Sequence, residues 1–265
     1  MKKIRNGLAL LLAVIAVMSL CACNSNRVIS YKVIGETDKE EFQLAFRQDD
    51  PLCEIITAAM KEITAEGQLS RLSAQYLGGD YTCFPDEANA LAVIEAEVVP
   101  DRMLRIGVQD GIAPLCSSRE DGTFTGLIPD IANLVASRLG WHFEFMAISS
   151  ENIEAELGSG NIDCAWMAAS YQNSKLKCSF SPGWITNTHE IIVRSNSGIN
   201  RKKALKGKIL GVTDATSVDA LKADGLDAIA GAVWYYDDLS TCFNALAAGD
   251  CDAVVMDSIV SNYYY

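Results

Sequence analysis

Short apolar runs alternate with amphipathic stretches along the chain, and that alternation sets the first expectations. Leu104 to Val108 is apolar and is broken by Asp110-Gly111, which predicts a short strand. From Pro129 onward Ile131, Leu134, Val135 and Leu139 recur at helical spacing, and Gly140 supplies a stop. Trp141 to Met146 alternates as a strand, and Ser149-Ser150 precede a short helix reaching Leu157, ended by Gly158 and Gly160. Cys164–Met167, Glu190–Arg194, Lys208–Thr213, Gly231–Tyr235 and Cys251–Met256 read as further strands, with helices at Thr216–Lys222 and Leu239–Ala248. Nearer the amino end, Phe42, Leu44 and Phe46 alternate and predict one strand over Glu41–Arg47. Asp50-Pro51 then opens a helix with Pro at its first position, carrying a stripe of Leu52, Ile55, Ile56, Ala59 and Ile63 up to Gly67. Gln68–Leu77 is a second helix before Gly78-Gly79, and residues 81–102 read as a linker with a helical turn over Glu87–Glu95. Strand–helix alternation predicts an α/β sandwich with mainly parallel sheets. In such sheets ligands gather where strand ends meet helix N-termini.

The first residues do not fit that pattern. Lys2, Lys3 and Arg5 precede an unbroken apolar run from Leu8 to Met18, about half of what crosses a bilayer, so residues 1–22 read as a secretory signal. The run ends in Leu20-Cys21-Ala22-Cys23, which resembles a bacterial lipobox with Cys23 as the lipidated residue. Residues 23–30 then form a polar tether, and lipid on Cys23 would hold the protein on the extracytoplasmic face of a cell membrane. Composition narrows the partners. The 265 residues are 49% hydrophobic and 21% charged, enough for a core, and 34 acids against 22 bases give a net charge of -12. Nucleic acid, which demands clustered Lys and Arg, is excluded as a partner. Nine Cys with no Cys-x-x-Cys and two His argue against a zinc site, so no metal or cofactor is expected. The Cys spacing leaves disulfide pairing open.

A family resemblance rests on particular residues. Leu104-Arg105-Ile106-Gly107-Val108, Ala113-Pro114, Asp121-Gly122 and Gly126 to Asp130 resemble the opening of a family 3 extracellular solute-binding protein, the polar amino-acid receptors of bacterial ABC importers. Leu157-Gly158-Ser159-Gly160-Asn161-Ile162-Asp163 is similar to that family's L-x-x-G-x-x-D element, and Phe180-Ser181-Pro182 to its FS-x-P-Y. Gly207-Lys208 to Val212 and Cys251 to Ser258 resemble elements of the second lobe. The order is unusual: Glu41 to Arg47, the helix after it and Gly67 to Gly78 resemble the family's carboxyl end, yet they precede its start. The resemblance therefore implies a two-lobed, type II periplasmic binding protein-like α/β fold with parallel-rich sheets, in circularly permuted order. Residues 31–35 and 195–265 would form lobe 2, and 36–80 with 103–194 lobe 1. Residues 81–102 would be a join able to stretch roughly 65 Å. The lobes would be crossed near Gly35–Glu40 and Arg194–Gly198. A domain-swapped dimer and a remnant of a tandem pair are the two rival readings.

The resemblance also implies a binding site. A free amino acid needs a cation or amide donors for its carboxylate and a carboxylate for its ammonium. By alignment Ser170 takes the family's ligand-hydroxyl position and Lys175 its carboxylate-binding Arg, with Ser174 competing for that place; Lys lacks the bidentate fork. Thr216-Ser217 would open a helix whose N–H groups favour an anion, and Asp257 would take the ammonium. Gln109, Asp110, Ile112, Trp166, Ala168 and Thr213 complete the candidate set at strand ends. Thr216 and Asp257 also read as helix caps, Lys175 as a solvated charge and Trp166 as core. Ile112 and Ser150 stand where the family places the aromatic walls, so the pocket is altered. These implications give a lipid-anchored receptor passing a small polar solute, an amino acid first, to an ABC permease. A ligand sensor or surface interaction protein on the same fold is the alternative. An enzyme is not expected, because no Ser-His-Asp set, metal ligands or phosphate loop is present.

Overall fold

The computed structural model describes residues 29–94, 103–171, 175–213, 215–261 and 263–264. The expected signal peptide, Cys23, Ser174 and the second half of the 81–102 join lie outside the described residues. From the amino end, β1 (Tyr31–Glu36), β2 (Glu40–Phe42) and β3 (Leu44–Arg47) lead into α1 (Leu52–Ala65) and α2 (Gln68–Leu77). Next come β4 (Met103–Val108), the pair β5 (Ser117–Ser118) and β6 (Phe124–Thr125), α3 (Leu127–Leu139), β7 (His142–Ala147), α4 (Ile153–Ser159) and β8 (Cys164–Trp166). After β9 (Cys178–Phe180), β10 (Ile185–Asn187) and β11 (His189–Arg194) the chain runs through β12 (Ile209–Val212), α5 (Ala215–Ala223), β13 (Ala232–Tyr235), α6 (Leu239–Ala248), β14 (Ala253–Asp257) and α7 (Ser258–Ser261).

Two five-stranded sheets result, in the orders β7-β4-β8-β3-β9 and β1-β11-β14-β12-β13. Each is half parallel: β4 runs parallel to β7 and β8, and β12 parallel to β13 and β14. The remaining pairings, β3 with β8 and β9, and β11 with β1 and β14, are antiparallel. The mainly parallel expectation therefore holds only for the strands joined by helical crossovers. Strands arriving from distant parts of the chain pair antiparallel because no crossover constrains their direction.

The expected single strand over Glu41–Arg47 is two. β2 pairs with β10, whereas β3 inserts between β8 and β9. Gln43 marks the break: its Nε2 donates to Ser181 O at 2.9 Å and its Oε1 accepts from Tyr171 N at 3.2 Å. Phe42, Leu44, Ala45 and Phe46 are all fully buried, so the strand is covered on both faces, unlike the one-sided pattern that alternation predicted. In α1 every residue of the expected stripe is buried, and Asp50 Oδ1 accepts from Leu52 N at 3.0 Å to open the helix. Pro51 precedes the helix rather than occupying its first turn. Arg138 of α3 ties back to α1 through Glu62 at 3.1 Å and Glu66 at 2.5 Å.

The lobe crossing expected near Arg194–Gly198 falls earlier. β11 is already bonded into the sheet with β1 and β14, so the chain leaves one sheet after β10 and enters the other at His189. The other crossing, between β1 and β2, lies beside it. Thr37 N donates to His189 O at 2.9 Å, and His189 N donates to Thr37 Oγ1 at 2.9 Å. Two adjacent crossings, tied by one backbone hydrogen bond and one to the Thr37 hydroxyl, form the joint between the sheets. The largest apolar cluster is continuous across the joint, including Leu104, Ile106, Trp166 and Trp184 on one side and Leu239, Val254 and Met256 on the other.

Candidate functional site

The site grows from strand ends. β4, β8, β12 and β14 run the same way within their sheets, and the residues just past them converge. Gln109 follows β4, Ala168 and Ala169 follow β8, Thr213 follows β12, and Asp257 ends β14. Thr216 in the first turn of α5 and Leu239 at the start of α6 arrive from helix N-termini, and Ile112, Leu115, Ser150 and Val260 complete the wall. Together they enclose a small cavity of about 50 Å³. A larger cavity of about 480 Å³ shares Ser150, Ala169 and Thr216 with it and opens past Ser170 and His189. Six of the expected residues, Gln109, Ile112, Ala168, Thr213, Thr216 and Asp257, thus meet in one cavity, and Ser170 lines its neighbour.

Four expected residues stand elsewhere. Trp166 is fully buried and packs edge-on to Trp184 with ring centroids 6.3 Å apart, so it belongs to the core. Asp110 is exposed and holds its own turn: its carboxylate accepts from Gly111 N at 2.7 Å, Ser118 N at 2.7 Å and Ser118 Oγ at 2.6 Å. Partial burial alone would raise its pKa, but those hydrogen bonds outweigh burial and bring it below the usual carboxylate range. Ser217 is completely buried, and Lys175 is exposed and lines neither cavity. The stretch from Lys175 to Phe180 is one residue shorter than the family spacing, so the alignment does not fix which residue takes the place of the family's Arg.

Sequence reasoning missed the surroundings of Asp257. Its Oδ1 accepts from Asn187 Nδ2 at 2.5 Å and stands 3.4 Å from His189 Nε2. The same Asn187 amide donates to Glu40 Oε1 at 2.8 Å, which is 3.7 Å from His189 Nδ1. Two carboxylates from different sheets therefore share one amide and flank one imidazole, at the joint where the chain crosses. His189 sits directly across from Asp257 in the β11–β14 register, a pairing about seventy residues apart that no local spacing reveals.

Comparison with known proteins shows what part of this chain is similar to. Residues 104–229 match the profile of the bacterial extracellular solute-binding proteins, family 3. The matched segment belongs to that family. Among curated proteins, the L-cystine-binding protein TcyJ of Escherichia coli is 26% identical over 161 residues, 60% of this chain and 60% of its own length. The L-arginine-binding protein of Pseudomonas aeruginosa is 24% identical over 175 residues, 65% of this chain and 68% of its own. The chain thus spans about 60% of the first of these relatives. Among solved structures, an ancestral arginine-binding protein bound to glutamine superimposes with a TM-score of 0.53 and 28% identity over 61% of this chain and 72% of that one. A substrate-binding protein of an ABC uptake transporter from Streptococcus pneumoniae, with bound histidine, shares the fold at a TM-score of 0.56, 24% identity and coverage of 61% and 68%. The fold is accordingly the mixed α/β, two-lobed architecture of amino-acid-binding proteins. Family 3 is a family of extracellular proteins, and among the described residues no helix is long and apolar enough to cross a membrane.

Proposed function

We propose that the protein is a binding protein that closes two lobes around a small polar solute, with amino acids and their close derivatives as the first class to test, for uptake by an ABC importer. The observation that carries this reading is the cavity built from both sheets at once, with Gln109 and Ala168 on one side and Thr213, Thr216 and Asp257 on the other. Contacts from both lobes favour the closed state, so a ligand that bridges them shifts the population toward closure. The named relatives, which bind cystine and arginine, support an amino-acid-like solute. The site binds rather than transforms its solute in this reading.

Two further elements belong to the same proposal. Lipid on Cys23 tethers the protein to the membrane beside its permease. The segment before the family match completes both sheets in permuted order: β3 takes the place between β8 and β9, and β1 the edge beside β11. Tyr31 of β1 packs edge-on to Phe243 at 5.1 Å, and Tyr264 stacks on the same ring at 6.2 Å, so both approach one surface. Asp257→Ala is expected to abolish calorimetric binding of the solute while the unfolding midpoint of the free chain changes little. Unaltered affinity would remove Asp257 from the site and the bridging mechanism with it.

A further inference from the structure

Resting on the binding-protein reading, we infer that the cleft selects an α-amino acid with a short, uncharged side chain, from alanine to valine and norvaline in size. That reading gives the ammonium to Asp257 and the carboxylate to the start of α5, so the rest of the small cavity's wall meets the side chain. Four aliphatic residues dominate that wall: Ile112 and Leu115 after β4, Leu239 opening α6, and Val260 in α7. An aliphatic group held there leaves water on the sides of both sheets at once. The wall is also held firmly. Leu115 N donates to Ile112 O at 2.8 Å, Leu115 O accepts from Ile128 N at 2.9 Å, and Asp238 Oδ1, just ahead of Leu239, accepts from Thr241 N at 2.7 Å. Of the described residues lining this cavity only Asp257 is charged. A cationic side chain would lose its hydration with no acid beyond the one already joined to the ammonium, and an anionic one would meet a like charge.

Size acts in the same direction. By the measure in which one water takes about 10–15 Å³, the cavity's roughly 50 Å³ holds about four non-hydrogen atoms. A short side chain fits that space, whereas a guanidinium on its stem or the second half of cystine does not. The wider cavity holds more charge, with Asp38, Lys39, Glu40, Glu151 and Asp219 on its wall. Asp38, Lys39, Glu151 and Asp219 are exposed, where water and salt screen them, and Asp219 is paired with Lys222 at 2.9 Å. Glu40 accepts from Asn187 Nδ2 at 2.8 Å. Charges on the solvent side act on the approach of a solute, and the enclosed aliphatic wall acts on the side chain once it is bound.

L-Norvaline and L-2,4-diaminobutyrate form the deciding pair, since their side chains match in shape and differ by one charge. The full chain, stripped of bound solute, is titrated calorimetrically and by thermal shift with both, and with L-alanine, L-valine, L-leucine, L-arginine, L-cystine and L-glutamate. L-Norvaline should bind at least about ten-fold more tightly than L-2,4-diaminobutyrate, and L-alanine or L-valine at least about ten-fold more tightly than L-arginine or L-cystine. Ser150 lines both cavities at an exposed position where folding is not in question, and Ser150→Asp should close or reverse the gap within the deciding pair. Ile112→Ala should move the preference toward L-leucine. An unchanged ratio between L-norvaline and L-2,4-diaminobutyrate in Ser150→Asp overturns the assignment of this wall to the side chain. Tighter binding of L-leucine, L-arginine, L-cystine or L-glutamate by the wild-type chain overturns the selection but leaves the binding-protein reading standing. No shift with any amino acid overturns the inference and the binding reading together.

Discussion

Asp257 shows how much one side chain's meaning depends on residues far away in sequence. Its place after an apolar run and before a helix is visible in the sequence, and so is its candidacy as the ammonium acceptor. Asn187, His189 and Glu40 around it are not, because each reaches it through sheet pairing rather than through spacing. Trp166 is the opposite case. A tryptophan at a strand end is compatible with a ligand wall or with the core, and only the edge-on packing against Trp184 decides for the core. The cysteines also acquire their character from burial. Those described are free thiols, and burial, then the nearby Asp110 carboxylate, push Cys116 from 9.0 to about 12. In that interval the unfolded chain has lost the proton while the folded chain keeps it, so this thiol makes stability fall as pH rises above about 9. Each such group contributes a slope of at most about 1.4 kcal/mol per pH unit. Urea unfolding of wild type and Cys116→Ala at a series of alkaline pH values should show a shallower decline in the variant; identical slopes would contradict the assignment.

At the scale of elements, the sequence is most legible where local periodicity and tertiary burial agree. α2 and α6 occupy the expected residues because an apolar stripe, a polar start and a terminal glycine point to the same bounds. The small strands β5, β6, β9 and β10 escape such reading, since two or three residues carry no period. The β2–β3 break at Gln43 escapes it too, because the alternation continues through the break while the pairing partner changes. The start of α3 is set by a backbone demand. Gly126 has φ of 128°, and a Cβ there would stand 2.5 Å from Leu115 O. Neither the conformation nor the space suits another residue. Gly126→Ala should lower the unfolding free energy by about 2 kcal/mol or more, read from the urea midpoint at unchanged slope. A loss below about 0.5 kcal/mol would mean that the loop relaxes freely.

For the whole molecule, the family resemblance and the two-lobed α/β class were readable from ordered motifs, and the profile match over residues 104–229 agrees with them. The way residues 31–80 join that segment is a matter of long-range pairing, which short motifs suggest but do not determine. In the structure β3 lies inside one sheet and β1 at the edge of the other, so an early part of the chain supplies a strand to each sheet and one of the two crossings at the joint. The cleft depends on that assembly, formed here within one chain; an exchange between two chains would place the same contacts across a dimer.

Glu36 and Glu190 face each other across β1 and β11, and replacing both with cysteine tests this directly. Residues opposed in this way have Cα atoms about 4.5–5.5 Å apart, within disulfide reach. On mild oxidation of the double variant, peptide mapping of a chain that runs as a monomer should recover the 36–190 cross-link within one polypeptide. Recovery of that cross-link only between two polypeptides, in a species of twice the mass, would contradict the account.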